Sequence, residues 1–181
     1  MKIALAVGGA VIAVPFAVVT VYGIVRTQKV EGDARQKTFA AAPAPDPSIA
    51  GLHRGSLQGR EVPWKGKKFA PDHTGVNLFL TKDGRTEERY PFRTYAGRGL
   101  KDKKTDVLKI DYDLAGNPWW LRRIVDEVVE IAPGELLGKV HVRWVLGMTF
   151  TLDFFKLEKV REEVTTVDPA PDRSAAPPPG D

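Results

Sequence analysis

The 181-residue chain contains no cysteine. Disulfides, thiolate metal sites, cysteine nucleophiles and the lipid-modified cysteine of a bacterial lipoprotein anchor are therefore excluded. The compartment stays open, because a cysteine-free chain suits an oxidising and a reducing space equally. Serine is nearly as scarce: Ser48, Ser56 and Ser174 are the only ones, and Ser48 and Ser174 sit in proline-rich stretches. Around Ser56, Arg54 stands where a nucleophile elbow needs its first glycine. The three histidines, His53, His73 and His141, are scattered, without partners at metal-ligand spacing. No metal and no catalytic serine are expected. The string from Gly134 to Lys139 is one residue short of a phosphate-binding loop, and Val140 follows where Ser or Thr belongs. It reads as a hairpin turn, and no cofactor is expected. Charge of one sign is not concentrated either. Lys plus Arg number 27 against 23 Asp plus Glu, for a net charge of +4, and no dense basic patch with interleaved aromatics points to nucleic acid.

What is present begins at the amino terminus. From Ile3 to Val25 there is no charged residue, a length that can span a bilayer as a helix at 1.5 Å per residue. A transmembrane anchor is expected over residues 1–27, with a cleaved export signal as the competing reading, since Met1-Lys2 makes a short positive start. Arg26, Lys29, Arg35 and Lys37 follow the span and taken alone would hold the domain in the cytoplasm. The MKIALAV start reads as an export signal, and the single-pass chain is expected to carry its domain outside the cytoplasm. Ala40 to Ala50 has proline at every second position over part of its length, so residues 28–50 read as a flexible Ala/Pro-rich linker. Residues 161–181 read as a disordered proline-rich tail. The folded unit is expected over 51–160.

Within that unit apolar residues recur with period two, bounded by Gly, Pro and Asp, which predicts antiparallel strands. Val76, Leu78 and Leu80 alternate with Asn77, Phe79 and Thr81 before the Lys82-Asp83-Gly84 turn. Tyr90, Phe92, Thr94 and Ala96 share a face of the return strand. Leu108, Ile110, Tyr112 and Leu114 alternate with Lys109, Asp111 and Asp113. Asn117-Pro118 opens a short helix through Trp119 and Ile124. Strands follow over 128–132, 136–145 and 149–157, with a Pro133-Gly134 turn between the first two, and earlier ones are expected over 55–62 and 64–69. Seven or eight sequential strands with one short helix predict an all-β meander barrel, which removes exposed edges. A sandwich, or an open sheet packed on the helix, is the alternative.

The strand pattern and Trp64, in Pro63-Trp64-Lys65-Gly66-Lys67, resemble the calycin superfamily, the lipocalins and their relatives. Val62 stands where lipocalins carry glycine, so the resemblance, over Gly55 to Leu157, is one of architecture. It implies an apolar cavity for a lipid-like molecule. Such an interior is expected from Leu78, Leu80, Phe92, Leu108, Ile110, Tyr112, Val142, Phe150 and Phe154. Trp119, Trp120, Arg122 and Arg123 form a candidate lid or partner surface. His141 alternates with Lys139 and Arg143 and is expected to face solvent, as are Asp111 and Asp113. Three functions follow: a non-enzymatic module holding a hydrophobic ligand at the membrane, an interaction or envelope-scaffold domain with a solid barrel, and an enzyme using His141 and Arg143 or the two aspartates.

Overall fold

Alternation becomes strand wherever turn residues bound it. The computed structural model describes residues 2–47, 49–57 and 60–160, and the side chains from residue 16 onward among them. In chain order these form α1 (Lys2–Glu31), α2 (Arg35–Ala41), β1 (Gly51–Ser56), β2 (Trp64–Phe69), β3 (Thr74–Leu80), β4 (Thr86–Arg98), β5 (Asp106–Asp111), β6 (Ile124–Ala132), β7 (Glu135–Arg143) and β8 (Thr149–Lys159). Each strand pairs antiparallel with the next. β8 returns to β1, with His53 opposite Lys159 and Ser56 opposite Lys156, so the sheet closes into an eight-stranded meander barrel. The Pro133-Gly134 turn forms as expected, with Gly134 at φ 78, a conformation glycine adopts at no steric cost.

Connections after β1, β3, β5 and β7 gather at one end of the barrel, here called the rim. The helix expected from Asn117 shrinks to a single 3-10 turn, Leu121–Arg123. Asn117 does not cap it: its side-chain amide donates to the carbonyls of Pro91 (2.8 Å) and Tyr112 (2.9 Å), tying the β5–β6 connection to the barrel.

Residues 28–50 differ from the expected linker. They hold the end of α1, all of α2, and an extended run in which the Pro43 carbonyl accepts the Glu130 N–H at 2.8 Å. Phe39 of α2 is fully buried on the outside of the barrel, in a second apolar cluster with Val30, Val107, Val129, Leu137 and Phe154. The alternating prolines dominated the composition, but burying one phenylalanine contributes about 1.5–3 kcal/mol and docks the segment.

The second half of α1 packs along β8. Gly23 lies so close under the Phe150 ring that a Cβ there would meet it at 2.4 Å. One turn on, Thr27 Oγ1 accepts the Thr151 N–H at 2.9 Å, and Arg26 pairs with Asp153 at 2.7 Å. At the rim, Phe16 stacks on Trp144 with ring centroids 5.9 Å apart. The anchor expected over 1–27 falls largely on residues whose side chains are outside the described set. Among the described residues no helix is long and apolar enough to cross a membrane. The tail expected over 161–181 also lies outside the described residues.

Replacing Phe39 by alanine is expected to lower the unfolding free energy by about 3 kcal/mol, read as a shifted denaturation midpoint. An unchanged midpoint would return residues 28–50 to the role of passive spacer.

Candidate ligand-binding site

The barrel interior is packed at its lower end by Phe69, Phe92, Leu108, Ile110, Leu136 and Leu157. Toward the rim it opens into a cavity of about 480 Å³. Its walls are apolar, with Leu57, Phe79, Tyr90, Leu121, Ile124 and Val140 among them, and its floor is polar: Lys67, Asn77, Tyr112 and Asp126, with Trp64 alongside. The Trp64 indole crosses Gly55, where a Cβ would meet the ring at 2.4 Å, and only a missing side chain leaves it that path.

The floor is one hydrogen-bonded knot. The Lys67 ammonium pairs with Asp126 Oδ2 at 3.0 Å, donates to Asn77 Oδ1 at 2.9 Å, and contacts the Tyr112 hydroxyl. Tyr112 donates to Asp126 Oδ2 at 2.9 Å, and Trp64 Nε1 donates to Asn77 Oδ1 at 3.0 Å. Four rings surround the ammonium, those of Trp64, Phe92, Tyr112 and Phe155, with centroids 5.1–5.5 Å away. Their faces attract a cation. Burial pulls the Lys67 amine below its usual range, opposed by Asp126, and burial together with Asp126 pushes the Tyr112 phenol well up. Tyr112 therefore remains a neutral donor. Asn77 also donates to the Tyr90 carbonyl at 3.1 Å, where β4 carries an extra residue relative to β3. Tyr90 adopts φ 58 there, a rare conformation for an aromatic residue.

Of the nine residues expected to line the interior, Tyr112 alone lies on the cavity wall. Phe92, Leu108 and Ile110 pack in the interior cluster beneath it. Leu80 is 40% exposed. Leu78 is buried, but its strand neighbours Asn77 and Phe79 are the ones that reach the cavity. Val142 is half-buried. Phe150 covers Gly23 of α1, and Phe154 joins Phe39 outside the barrel. Of the candidate lid, Trp120 lines the cavity and meets Tyr90 edge-on at 6.2 Å, whereas Trp119 is 76% exposed. Trp119, Arg122 and Arg123 share an adjoining rim cleft with Asp113 and Arg143. The floor residues Lys67, Asn77 and Asp126 were missed because inwardness was assigned by apolarity. Asp126 and Glu127 are adjacent in a strand, so one of the two had to face inward.

His141, expected to face solvent, is fully buried. So are Glu127, Lys139 and Thr151, because α1, α2 and the β4–β5 connection cover this part of the outer face. His141 Nε2 lies 3.2 Å from Glu127 Oε2, and its Nδ1 lies 3.1 Å from Thr151 Oγ1. The trio has the order of a catalytic relay, but all three residues have zero exposure, so no substrate reaches them. Lys139 pairs with Asp102 and lies 4.4 Å from the centre of the Phe39 ring. Of the two aspartates expected to face solvent, Asp113 does and Asp111 does not. Asp111 is buried beneath Arg143 (2.8 Å) and the Tyr95 hydroxyl (3.1 Å), while Asp113 pairs with Arg122 at 2.7 Å. Each carboxylate has its own cation, and they do not form an acid/base pair.

The chain is similar in fold to a protein from Thermomonospora curvata whose crystal structure is known, with a TM-score of 0.52 and 18% identity over 81% of this chain and 97% of that one. No protein-family model and no curated protein matches the chain. The likeness extends the all-β barrel to a second protein and assigns no activity.

Two measurements test these networks. Lys67→Met alone leaves Asp126 uncompensated and is expected to cost about 3–5 kcal/mol, whereas Lys67→Met with Asp126→Asn recovers most of it. Strictly additive losses in that cycle would show that the two groups do not interact. For Glu127, burial acts upward, but the His141 imidazole 3.2 Å away, the Leu100 N–H and the Lys109 charge outweigh it and hold the carboxyl low. Asp111 is likewise low despite burial, through Arg143, the Asp113 N–H and Tyr95. Unfolded carboxyls titrate near about 4, so the stability these two contribute is complete above that value and is lost as pH falls through their folded values. The melting temperature is expected to decline below about pH 4, less steeply in Glu127→Gln. A variant profile parallel to that of the parent would remove Glu127 from the account.

Proposed function

We propose that this protein is a membrane-anchored, non-enzymatic binding module whose lipocalin-like barrel holds one hydrophobic, lipid-like molecule. The observation that carries the reading is the cavity of about 480 Å³, inside the range of about 300–1,000 Å³ typical of small-molecule sites. Its walls are apolar and its few polar groups converge on the floor, the usual division between affinity and orientation.

The membrane part of the proposal draws on the uncharged run Ile3 to Val25 and on where α1 meets the barrel. Phe16 and Thr20 contact Trp144 at the rim, with Trp144 Nε1 3.3 Å from Thr20 Oγ1. The helix has a further turn-by-turn extension from Phe16 back to Lys2, about 21 Å at 1.5 Å per residue. It leads away from the rim end, so a bilayer holding that segment lies on the side of the cavity mouth. Val18, Val21 and Tyr22 are exposed along α1, and Leu146 in the β7–β8 connection is 93% exposed. Trp119, Trp144 and the arginines Arg122, Arg123 and Arg143 suit a membrane–water interface. We place the domain outside the cytoplasm on its export-like start. A protein-docking role would use the same exposed Trp119 and is the reading that an empty barrel favours.

The test is native mass spectrometry of the full-length chain released from mild detergent, with lipid extraction of the same sample. One lipid-like molecule per chain is expected, and Val140→Trp, which fills the cavity, is expected to lose it while keeping the strand circular-dichroism spectrum. A clean apo mass for the parent, or full retention of the molecule by the variant, would overturn the binding role.

A further inference from the structure

The hydrogen bonds of the cavity floor leave one group unused. Lys67 has three protons and three acceptors, Asp126 Oδ2, Asn77 Oδ1 and the Tyr112 oxygen. The Tyr112 proton goes to Asp126 Oδ2, the Trp64 N–H to Asn77 Oδ1, and the Asn77 amide to the Tyr90 carbonyl and the Tyr112 oxygen at 3.3 Å. Every donor is committed. Asp126 Oδ1 is the exception on the floor: Lys67 and Tyr112 both turn to Oδ2, and no donor among the described residues reaches Oδ1. The Asp126 side chain is 6% exposed and forms part of the cavity surface. A carboxylate oxygen on the surface of an apolar cavity is satisfied only by a donor that enters the cavity with the ligand.

From this we infer that the molecule held in the barrel ends in a neutral hydrogen-bond donor, a hydroxyl group, which reaches the floor and donates to Asp126 Oδ1. The inference rests on the binding role proposed above and names its ligand class: an apolar alcohol of the long-chain or isoprenoid kind. A fatty-acid carboxylate is disfavoured, because the floor offers it no free donor and sets it against the open oxygen of Asp126. An alkylamine is disfavoured for the opposite reason, since its ammonium would lie beside that of Lys67. A molecule without a polar end would fill the walls and leave Asp126 Oδ1 bare.

Three chain-length-matched probes separate the alcohol from the carboxylate and from a chain end without a donor: dodecanol, dodecanoate and dodecyl methyl ether. The full-length chain is held in amphipol, stripped of co-purified lipid, and titrated at neutral pH. Binding is followed by fluorescence, since Trp64 and Trp120 line the cavity, and stoichiometry by native mass spectrometry. Dodecanol is expected to bind at one per chain and at least about tenfold more tightly than either the ether or the carboxylate, the factor for a hydrogen bond to a charged acceptor. Equal affinities for dodecanol and its ether, or a preference for the carboxylate, would overturn the donor assignment and leave the binding role standing. No saturable binding of any probe, with the apo mass persisting, would overturn the binding role and the assignment together. A control variant, Val140→Trp, must lose dodecanol binding. If it does not, the alcohol is bound outside the barrel and the assignment fails.

Discussion

An ammonium inside an apolar barrel is tolerable only if its whole first layer of neighbours answers its charge and its three protons. Around Lys67 that answer comes from all sides of the barrel: Asn77 from β3, Phe92 from β4, Tyr112 just after β5, Asp126 from β6, Phe155 from β8, and the indole of Trp64 carried over Gly55. The knot therefore works as a cross-tie. It ties together strands that are not neighbours in the sheet, β2 with β6, beneath the hollow. Buried ion pairs seldom add net stability over well-packed apolar residues.

The outer face shows the same discipline applied to a covering. β6 and β7 present Glu127, Lys139 and His141 outward, and an uncovered barrel would leave them solvated. α1, α2 and the β4–β5 connection seal them, and every one finds a close partner: Glu127 with His141 and Leu100, Lys139 with Asp102 and the Phe39 ring, Thr151 with Thr27. The N-terminal segment is thus recognised by the barrel through polar groups as well as through Phe39, so it cannot be exchanged for any apolar strap of similar length.

This double burial is also what limited the reading of the sequence. The cleanest alternation, Leu108 to Tyr112, gave a strand whose inner face is where it was expected, and the turns at Gly84 and Gly134 bounded their hairpins correctly. A strand signals which residues share a face, but not what lies over the polar one: beside His141 it is α1, bonded to Thr151, and over Asp111 it is the side chains of Arg143 and Tyr95. In β3 the error came from inside: Asn77 and Phe79 face the cavity while Leu80 is exposed, so apolarity named the wrong face. In β8 an extra residue between the positions opposite Val140 and His141 breaks the alternation. Phe150 packs against Gly23 of α1. The charges that betray the polar floor were visible as neighbours in a strand, Asp126 beside Glu127 and Lys67 beside Lys68.

The seating of Gly23 under Phe150, with Thr27 bonded to the β8 backbone, makes α1 and the barrel a single lever. A domain on a loose tether samples all orientations, whereas this one has a fixed azimuth and a fixed height along the helix axis. Adding one residue to α1 ahead of Gly23 would turn everything before it by about 100° and displace it by about 1.5 Å without disturbing a single strand. Whatever holds the first half of α1 therefore also aims the barrel, and a change in helix tilt arrives at the cavity mouth as a rotation.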